Sequence, residues 1–338
     1  MINNQILAYK LKRFKSLEFD FHKKKTYTQH WNNFRTKPRK RSSFSVFFKK
    51  FKNSIYSLLG FKLSVRLIKN QSQKDEAYSS FVVDLKVKKY RNNLILEQII
   101  SFLKSSGLKF NKFDIESYIN EFEDIFMKSP IKEQGSGFGF NEGVFFYTIL
   151  KIINPTVVVE SGIMKGFTTY LIDAATNENC RIYCYDINLE NNLYNSKKAT
   201  YINTDITKNV PSIHKEKTVA LWDDHTSQID RLKFSLKHGI KYNFFDDDLS
   251  SLNIHADGWP PIPTISMLKD VENGIIKNQD FKWVSRNREG VVYLKNISDT
   301  KIIRNISFHK IFPQLFPITG YKNHSQCSFV INNHSALK

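Results

Sequence analysis

Cysteine is scarce: Cys180, Cys184 and Cys327 are all that 338 residues contain. Their spacing is too irregular for a disulfide framework, and the Cys180/Cys184 pair lacks the two-residue gap of a zinc knuckle. All three read as small core fillers in a reducing compartment. Long apolar runs are missing too. The first 30 residues hold no apolar core of signal-peptide length, and later apolar stretches are broken by Lys, Asn or Pro short of the ~18 residues a membrane span needs. A cytoplasmic chain is expected. No internal repeat is present. Acidic residues are missing from one place only: residues 1 to 70 carry 18 Lys/Arg against 2 Asp/Glu, whereas residues 71 to 338 carry 33 against 30. The basicity therefore belongs to an N-terminal arm, and the body is close to neutral.

What is present supports a large core, since 41% of residues are hydrophobic and 14% aromatic. Residues 1 to 43 show no lasting period. From Phe44 the apolar residues Phe47, Phe48, Phe51, Ile55, Leu58 and Leu59 follow helical spacing with lysines between them, which predicts a basic amphipathic helix at about 44–60. Such a helix either covers part of the main domain or lies on an anionic membrane surface through residues 44–68. The arm is taken as residues 1–70. "QSQKDEAYSS" reads as a linker into a helical lead-in, 71–134, with helices at about 93–105 and 114–127, the second capped by Asp114. A glycine-rich loop and a helix from Asn141 to Ile153 open the third segment, 135–338.

There the pattern changes. Short apolar runs ending in acids recur: "TVVVE", "RIYCYD", "ATYINTD", "TVALWDD" and "IKYNFFDDD", several separated by helix-length segments. This is the form of βαβ units around a doubly wound, mostly parallel α/β sheet. "GVVYLK" and "CSFVIN" are candidates for its last strands. Ligands of such sheets bind at the carboxyl ends of the strands. After the first strand, Gly162 and Gly166 permit a tight turn and close approach of backbone N–H groups to a ligand. Glu160 in that turn disfavours a pyrophosphate and suits a cofactor carrying positive charge.

The stretch "ESGIMKGFTT" resembles the E-x-G-x-x-x-G-x-[ST] loop of class I S-adenosylmethionine-dependent methyltransferases, especially the branch of macrocin-type O-methyltransferases and cephalosporin-hydroxylase-like proteins. The resemblance covers about residues 135–332. It implies a Rossmann-like methyltransferase domain over 135–338 and S-adenosylmethionine held by Glu160, Gly162, Gly166, Asp186 and Asp205. Asp186 matches the acid for the ribose hydroxyls, and Asp205 the side chain beside the adenine. "WDDH" and "FFDDD" are similar to that branch's metal- or base-bearing strand ends. His225 and Asp224 are thus candidate catalytic residues, and Asp224, Asp246 and Asp247 a candidate Mg²⁺ set. The branch's Asp-Gly-Asp-His reads Trp222-Asp223-Asp224-His225 in this chain, so the aspartate in the metal-ligand place stays open.

Methyl transfer to a hydroxyl needs alignment and removal of one proton, and His225 suits that task. Its alternative role is to cap a helix starting near Thr226. The acids can equally repel one another with no metal bound. His255, Asp257 and Trp259 in "HADGWPPIPT" are substrate-site candidates or parts of a rigid loop. Phe138 and Phe140 are candidates for a lid over the cofactor, and Asp248 is expected to face solvent or cap a turn. The basic arm is similar to the start of methyltransferases of surface-polysaccharide assembly. That similarity implies a glycan or small hydroxyl-bearing acceptor and peripheral contact with the inner face of the membrane. Three other functions remain open: a nicotinamide-dependent oxidoreductase, a nucleic-acid-binding protein or RNA methyltransferase using the arm, and a binding module with a decayed site.

Overall fold

Three consecutive β-branched residues, Val157, Val158 and Val159, have side chains that pack well on a pleated surface and poorly in a helix. They form β1 (Val157–Ser161), which is buried along its whole length. In the computed structural model the described residues are 85–131, 138–211, 213, 217–251, 262–275, 281–285, 288–292, 300–321 and 325–333. The chain divides into two units, Met1–Glu76 and Ala77–Lys338, and every described residue belongs to the second. The amphipathic helix expected at 44–60 and the substrate-loop candidates His255, Asp257 and Trp259 lie outside the described residues.

Around β1 stand β2 (Arg181–Tyr185), β3 (Ala199–Ile202), β4 (Thr218–Trp222), β5 (Tyr242–Phe245), β8 (Ile306–Ile311) and β9 (Ser328–Asn332). Their order is β3-β2-β1-β4-β5-β9-β8, parallel from β3 to β5, with β9 antiparallel to both of its neighbours. Side chains alternate between the faces, as the two-residue period of a strand requires. Val158, Val219, Leu221, Phe244 and Phe329 point to one core; Val157, Val159, Ala220, Trp222, Phe245 and Val330 point to the other. The first face is covered by α1 (Leu85–Ser106), α2 (Lys112–Lys128), α3 (Phe140–Ile153) and α4 (Phe167–Ala175). The second is covered by α5 (Gln228–His238), α6 (Ile265–Glu272) and α7 (Thr300–Arg304). Among the described residues β6 (Phe281–Ser285) and β7 (Arg288–Val292) pair with each other in a separate two-stranded sheet, and α8 (Phe316–Thr319) precedes β9. This is a Rossmann-like α/β fold: a mixed, mostly parallel seven-stranded sheet wound on both faces. Among the described residues no helix is long and apolar enough to cross a membrane.

The helical lead-in packs into the same core as the sheet, because Ile95, Ile99 and Phe102 of α1 and Ile119 and Phe122 of α2 fall on one face each. Buried Glu123 of α2 is neutralised by Lys88 at 2.8 Å and by Arg91. Several sequence expectations change. Asn111, not Asp114, caps α2 by accepting the Phe113 N–H at 3.0 Å. "GVVYLK" contributes to the separate β6–β7 hairpin instead of the main sheet. Phe138 and Phe140 are no lid: Phe138 packs edge-on against Phe146 in the core and Phe140 stacks on Tyr321 at 4.5 Å. The three cysteines are buried and free.

Asp248 also departs from expectation. It is fully buried, accepts the Ser266 N–H at 2.7 Å and lies 2.8 Å from His309 Nε2 on β8. Burial resists its ionisation, but His309 and its other donors outweigh this and hold the carboxyl below its ordinary range. A lowered folded value gives stability that is complete above the unfolded value, about pH 4, and is lost as pH falls through the folded one. His309→Ala strands a buried carboxylate, so a loss of ~3 kcal/mol is expected at pH 7, seen as a lower urea midpoint. The gap from wild type should narrow as pH falls below about 4, where the contribution of Asp248 to wild-type stability is being lost. A gap independent of pH would assign the cost to packing.

Candidate active site

The chain reverses direction across the sheet at β1 and β4, which puts the crevice of the fold at their carboxyl ends. Asp186, Asp223 and Asp246 are the first residues beyond β2, β4 and β5. Their N–H groups bond to Ile202, Ser161 and Trp222 carbonyls, so the three stand along one edge. Among the described residues four non-glycine residues have positive φ; Asn154 ends α3, and the other three, Met164 (48°), His225 (53°) and Asp247 (52°), follow β1, β4 and β5. Each costs ~1 kcal/mol of strain, and such strain gathers at functional sites.

On the β1–β2 side, the glycines serve the protein's own packing. A Cβ on Gly162 would stand 2.1 Å from the Asp223 carbonyl oxygen, and one on Gly166 would stand 2.4 Å from Asn192 Oδ1. The loop N–H groups are likewise directed inward. Gly162 donates to the Tyr185 carbonyl at 2.9 Å and Gly166 to the Ile163 carbonyl at 2.8 Å. Ile163 and Met164 donate to Asp186 Oδ2 at 2.8 and 3.2 Å. Asp186 Oδ1 accepts the Asn188 N–H at 2.8 Å. Three of the roughly four acceptor directions of this half-buried carboxylate are therefore used, and one on Oδ1 remains for a ligand hydroxyl.

Glu160 does not stand in the turn as expected. It is fully buried beneath it, accepting the hydroxyls of Thr168 and of Thr169, the latter at 2.6 Å, and the Cys184 thiol at 3.3 Å. Burial raises its carboxyl from 4.5 to about 7, against the pull of those three donors. Its visible work is to pin the start of α4 to β1.

On the β4–β5 side, Arg231 of α5 organises the acids. Its Nε donates to Asp224 Oδ2 at 2.8 Å, its two terminal nitrogens reach Asp205, and its guanidinium carbon lies 5.7 Å from the Trp222 ring centre. Ser161 Oγ adds a 2.5 Å bond to Asp224 Oδ2, while Asp224 Oδ1 accepts the N–H and hydroxyl of Thr226 at 3.2 and 2.7 Å. Asp205 caps a 3₁₀ turn by accepting the Thr207 N–H at 2.8 Å. Burial resists its ionisation, yet Arg231 and Thr207 bring its carboxyl down to about 2. Asp205 is thus committed to Arg231 and Thr207.

Asp224, one of the expected metal ligands, has Arg231 as its cation. Among the described residues no group of three or more His, Cys, Asp or Glu is placed to hold a metal ion. Asp223, in contrast, lies beside Asp246, and desolvation with the neighbouring acids pushes its carboxyl well up. Burial raises Asp246 as well, with Ser325, Asp223 and His225 pulling it back. Buried Glu142 of α3 stands near this pair; burial brings its carboxyl up to about 7, although the Gly139 N–H donates to it at 3.0 Å. His225 does not cap α5, whose cap is Ser227. It stands exposed at the apex of its turn, with Nδ1 3.9 Å from Asp247 Oδ2.

Of the candidate residues, the structure brings Asp224, His225, Asp246 and Asp247 to one end of β4–β5 and Asp186 to the neighbouring end of β2. Glu142 and Arg231 escaped the sequence reading, which named Asp223 only as the alternative to Asp224 in the metal-ligand place. Only Arg231 carried a signal: it shares helical spacing with Gln228 and Ser235, both buried, so a basic residue lies on the sheet-facing stripe of α5.

No family model matches the chain, and no curated protein does. Solved structures give distant likenesses. The cmcI-N160 SAH structure is 15% identical with a TM-score of 0.30, over 32% of this chain and 61% of that one, so less than two thirds of that cmcI chain is spanned. The O-methyltransferase from Bacillus cereus in complex with SAH is 9% identical with a TM-score of 0.36, over 68% and 96%. TomG, an O-methyltransferase from Streptomyces achromogenes, is 7% identical with a TM-score of 0.37, over 69% and 95%. Likenesses at this level carry no argument about function, and the architecture rests on the strand order itself.

Proposed function

We propose that the chain is an S-adenosylmethionine-dependent O-methyltransferase acting on a hydroxyl of a glycan or small metabolite. One observation carries the choice of cofactor. A dinucleotide needs a glycine loop whose N–H groups point at its pyrophosphate. In this chain the N–H groups of Gly162, Ile163, Met164 and Gly166 are all spent within the protein, two of them on the Asp186 carboxylate. With those donors occupied the loop has none left for a pyrophosphate, and the carboxylate beside it suits a cationic sulfonium nucleoside with a ribose diol. Asp186 Oδ1 is the acceptor for that diol.

S-adenosylmethionine bound there would supply an electrophilic methyl group. His225 removes the acceptor's hydroxyl proton, and Asp247 stabilises the resulting imidazolium across 3.9 Å. The basic arm supports an acceptor presented at an anionic surface, as a lipid-linked sugar is.

The test is calorimetric titration with S-adenosylhomocysteine, NAD and NADP, each with and without Mg²⁺. Saturable binding of S-adenosylhomocysteine alone is expected. Asp186→Ala should weaken it about 10- to 100-fold, the value of hydrogen bonds to a charged group, with the far-ultraviolet spectrum unchanged. Binding of a nicotinamide dinucleotide, or of none of the three, overturns the proposal.

A further inference from the structure

We infer that Arg231 is the positioning residue for His225, and that it ties the proposed base to the loop after β3. The inference rests on the reading of His225 as the base. Asp224 Oδ1 accepts the N–H of Thr226, two residues on, which closes a turn with His225 at its apex in the left-handed region. That turn holds its shape only while the Asp224 carboxylate keeps its orientation. The other oxygen, Oδ2, is fixed by Arg231 Nε at 2.8 Å and Ser161 Oγ at 2.5 Å. The guanidinium is fixed in turn by Asp205 and by the face of Trp222. A line of contacts thus runs from Asp205 through Arg231 and Asp224 to His225.

Arginine is needed for geometric reasons. Its planar fork serves two carboxylates at once along separate N–H directions, whereas a lysine ammonium is a point charge on a flexible stem. Arg231 is itself buried, with a side-chain exposure of 6%, so neither contact is exchanged freely with water. Asp205 and Asp224 lie on different loops, after β3 and β4, and the guanidinium is what they share. Displacement of Asp205 by a ligand at the β3 loop would therefore be felt at His225.

The experiment reads His225 directly in the nucleotide-free protein. With histidine ¹³C-labelled, nine Cε1–H cross-peaks are present in the full chain, and His225→Gln assigns one of them. Arg231→Gln should shift or broaden the His225 cross-peak while peaks of distant histidines stay in place. Arg231→Lys should fail to restore it, and a lysine variant with the wild-type peak overturns the inference. If the Arg231 variants do not fold, Asp205→Asn decides. It changes a half-exposed residue at the far end of the line and should move the His225 peak in the same direction by a smaller amount. A folded Arg231→Gln or Asp205→Asn protein whose His225 peak superposes on wild type also overturns it. Because no nucleotide enters this measurement, failure to bind S-adenosylhomocysteine would sink the proposed function and leave the link to His225 standing.

Discussion

A protein carrying Gly162→Ala should be less stable than wild type by ~3 kcal/mol or more, the largest loss of any glycine substitution among those described. The added Cβ would stand 2.1 Å from the Asp223 carbonyl oxygen, 2.4 Å from its carbon and 2.8 Å from the Asp224 nitrogen. All three are backbone atoms at the end of β4, so no side chain can swing aside. The residue also sits at φ +93°, which adds a cost for any Cβ. Two controls separate these terms. Gly166→Ala meets Asn192 Oδ1 at 2.4 Å, a side-chain atom that can move, and Gly107→Ala meets nothing within 4 Å at φ +73°. Urea denaturation should rank the losses Gly162 above Gly166 above Gly107, with the last at ~1 kcal/mol. Equal losses at Gly162 and Gly107 would mean that backbone conformation alone requires the glycine and that the β1 loop does not press on the turn carrying His225.

This reassigns what the glycines mean. From sequence, a pair of glycines after a valine-rich strand reads as room for a ligand; in the fold the room is filled by Asp223 and Asn192. The strands themselves were legible, because "TVVVE", "RIYCYD" and "TVALWDD" are short apolar runs; in the last two the acid falls just past the last ladder residue, at Asp186 and Asp223, whereas Glu160 lies within the β1 ladder. β8 was hidden, since Ile306–Ile311 mixes Ser, His and Lys into a half-buried edge strand without a continuous apolar run. "GVVYLK" misled for the opposite reason: an apolar run announces a strand but not the sheet it joins. At the site, residue types were readable and partners were not. Asp224 and Asp223 are adjacent and chemically identical. Successive residues project in different directions, so one meets Arg231 and the other meets Asp246. Glu160, Asp248 and Glu142 show the same limit, for an acid at a strand or helix end reads as exposed until a buried donor is found for it.

The buried acids also set the pH dependence of the whole fold, and Glu160→Gln isolates one of them. The folded Glu160 carboxyl titrates at about 7, raised from 4.5 by burial. Between those values the folded state binds more protons than the unfolded chain, so stability falls as pH rises through the window and levels off above it. A rise of that size corresponds to ~3 kcal/mol. Glu142, which burial also brings to about 7, acts in the same window and direction. Asp205 and Asp248 are depressed instead and act only in strong acid, so they leave this window clear. Glutamine keeps the volume and a hydrogen-bonding oxygen for one of the two threonines while removing the titration. Unfolding free energies at pH 5 and pH 8 should therefore move ~3 kcal/mol in favour of the variant on going from the lower to the higher pH. Parallel behaviour of variant and wild type would show that Glu160 carries no excess proton in the fold. The same protein separates the two roles of this residue. If Glu160 pins α4 to β1, the variant keeps wild-type affinity for S-adenosylhomocysteine. If the carboxylate touches the cofactor, affinity drops tenfold or more in a protein that is otherwise folded.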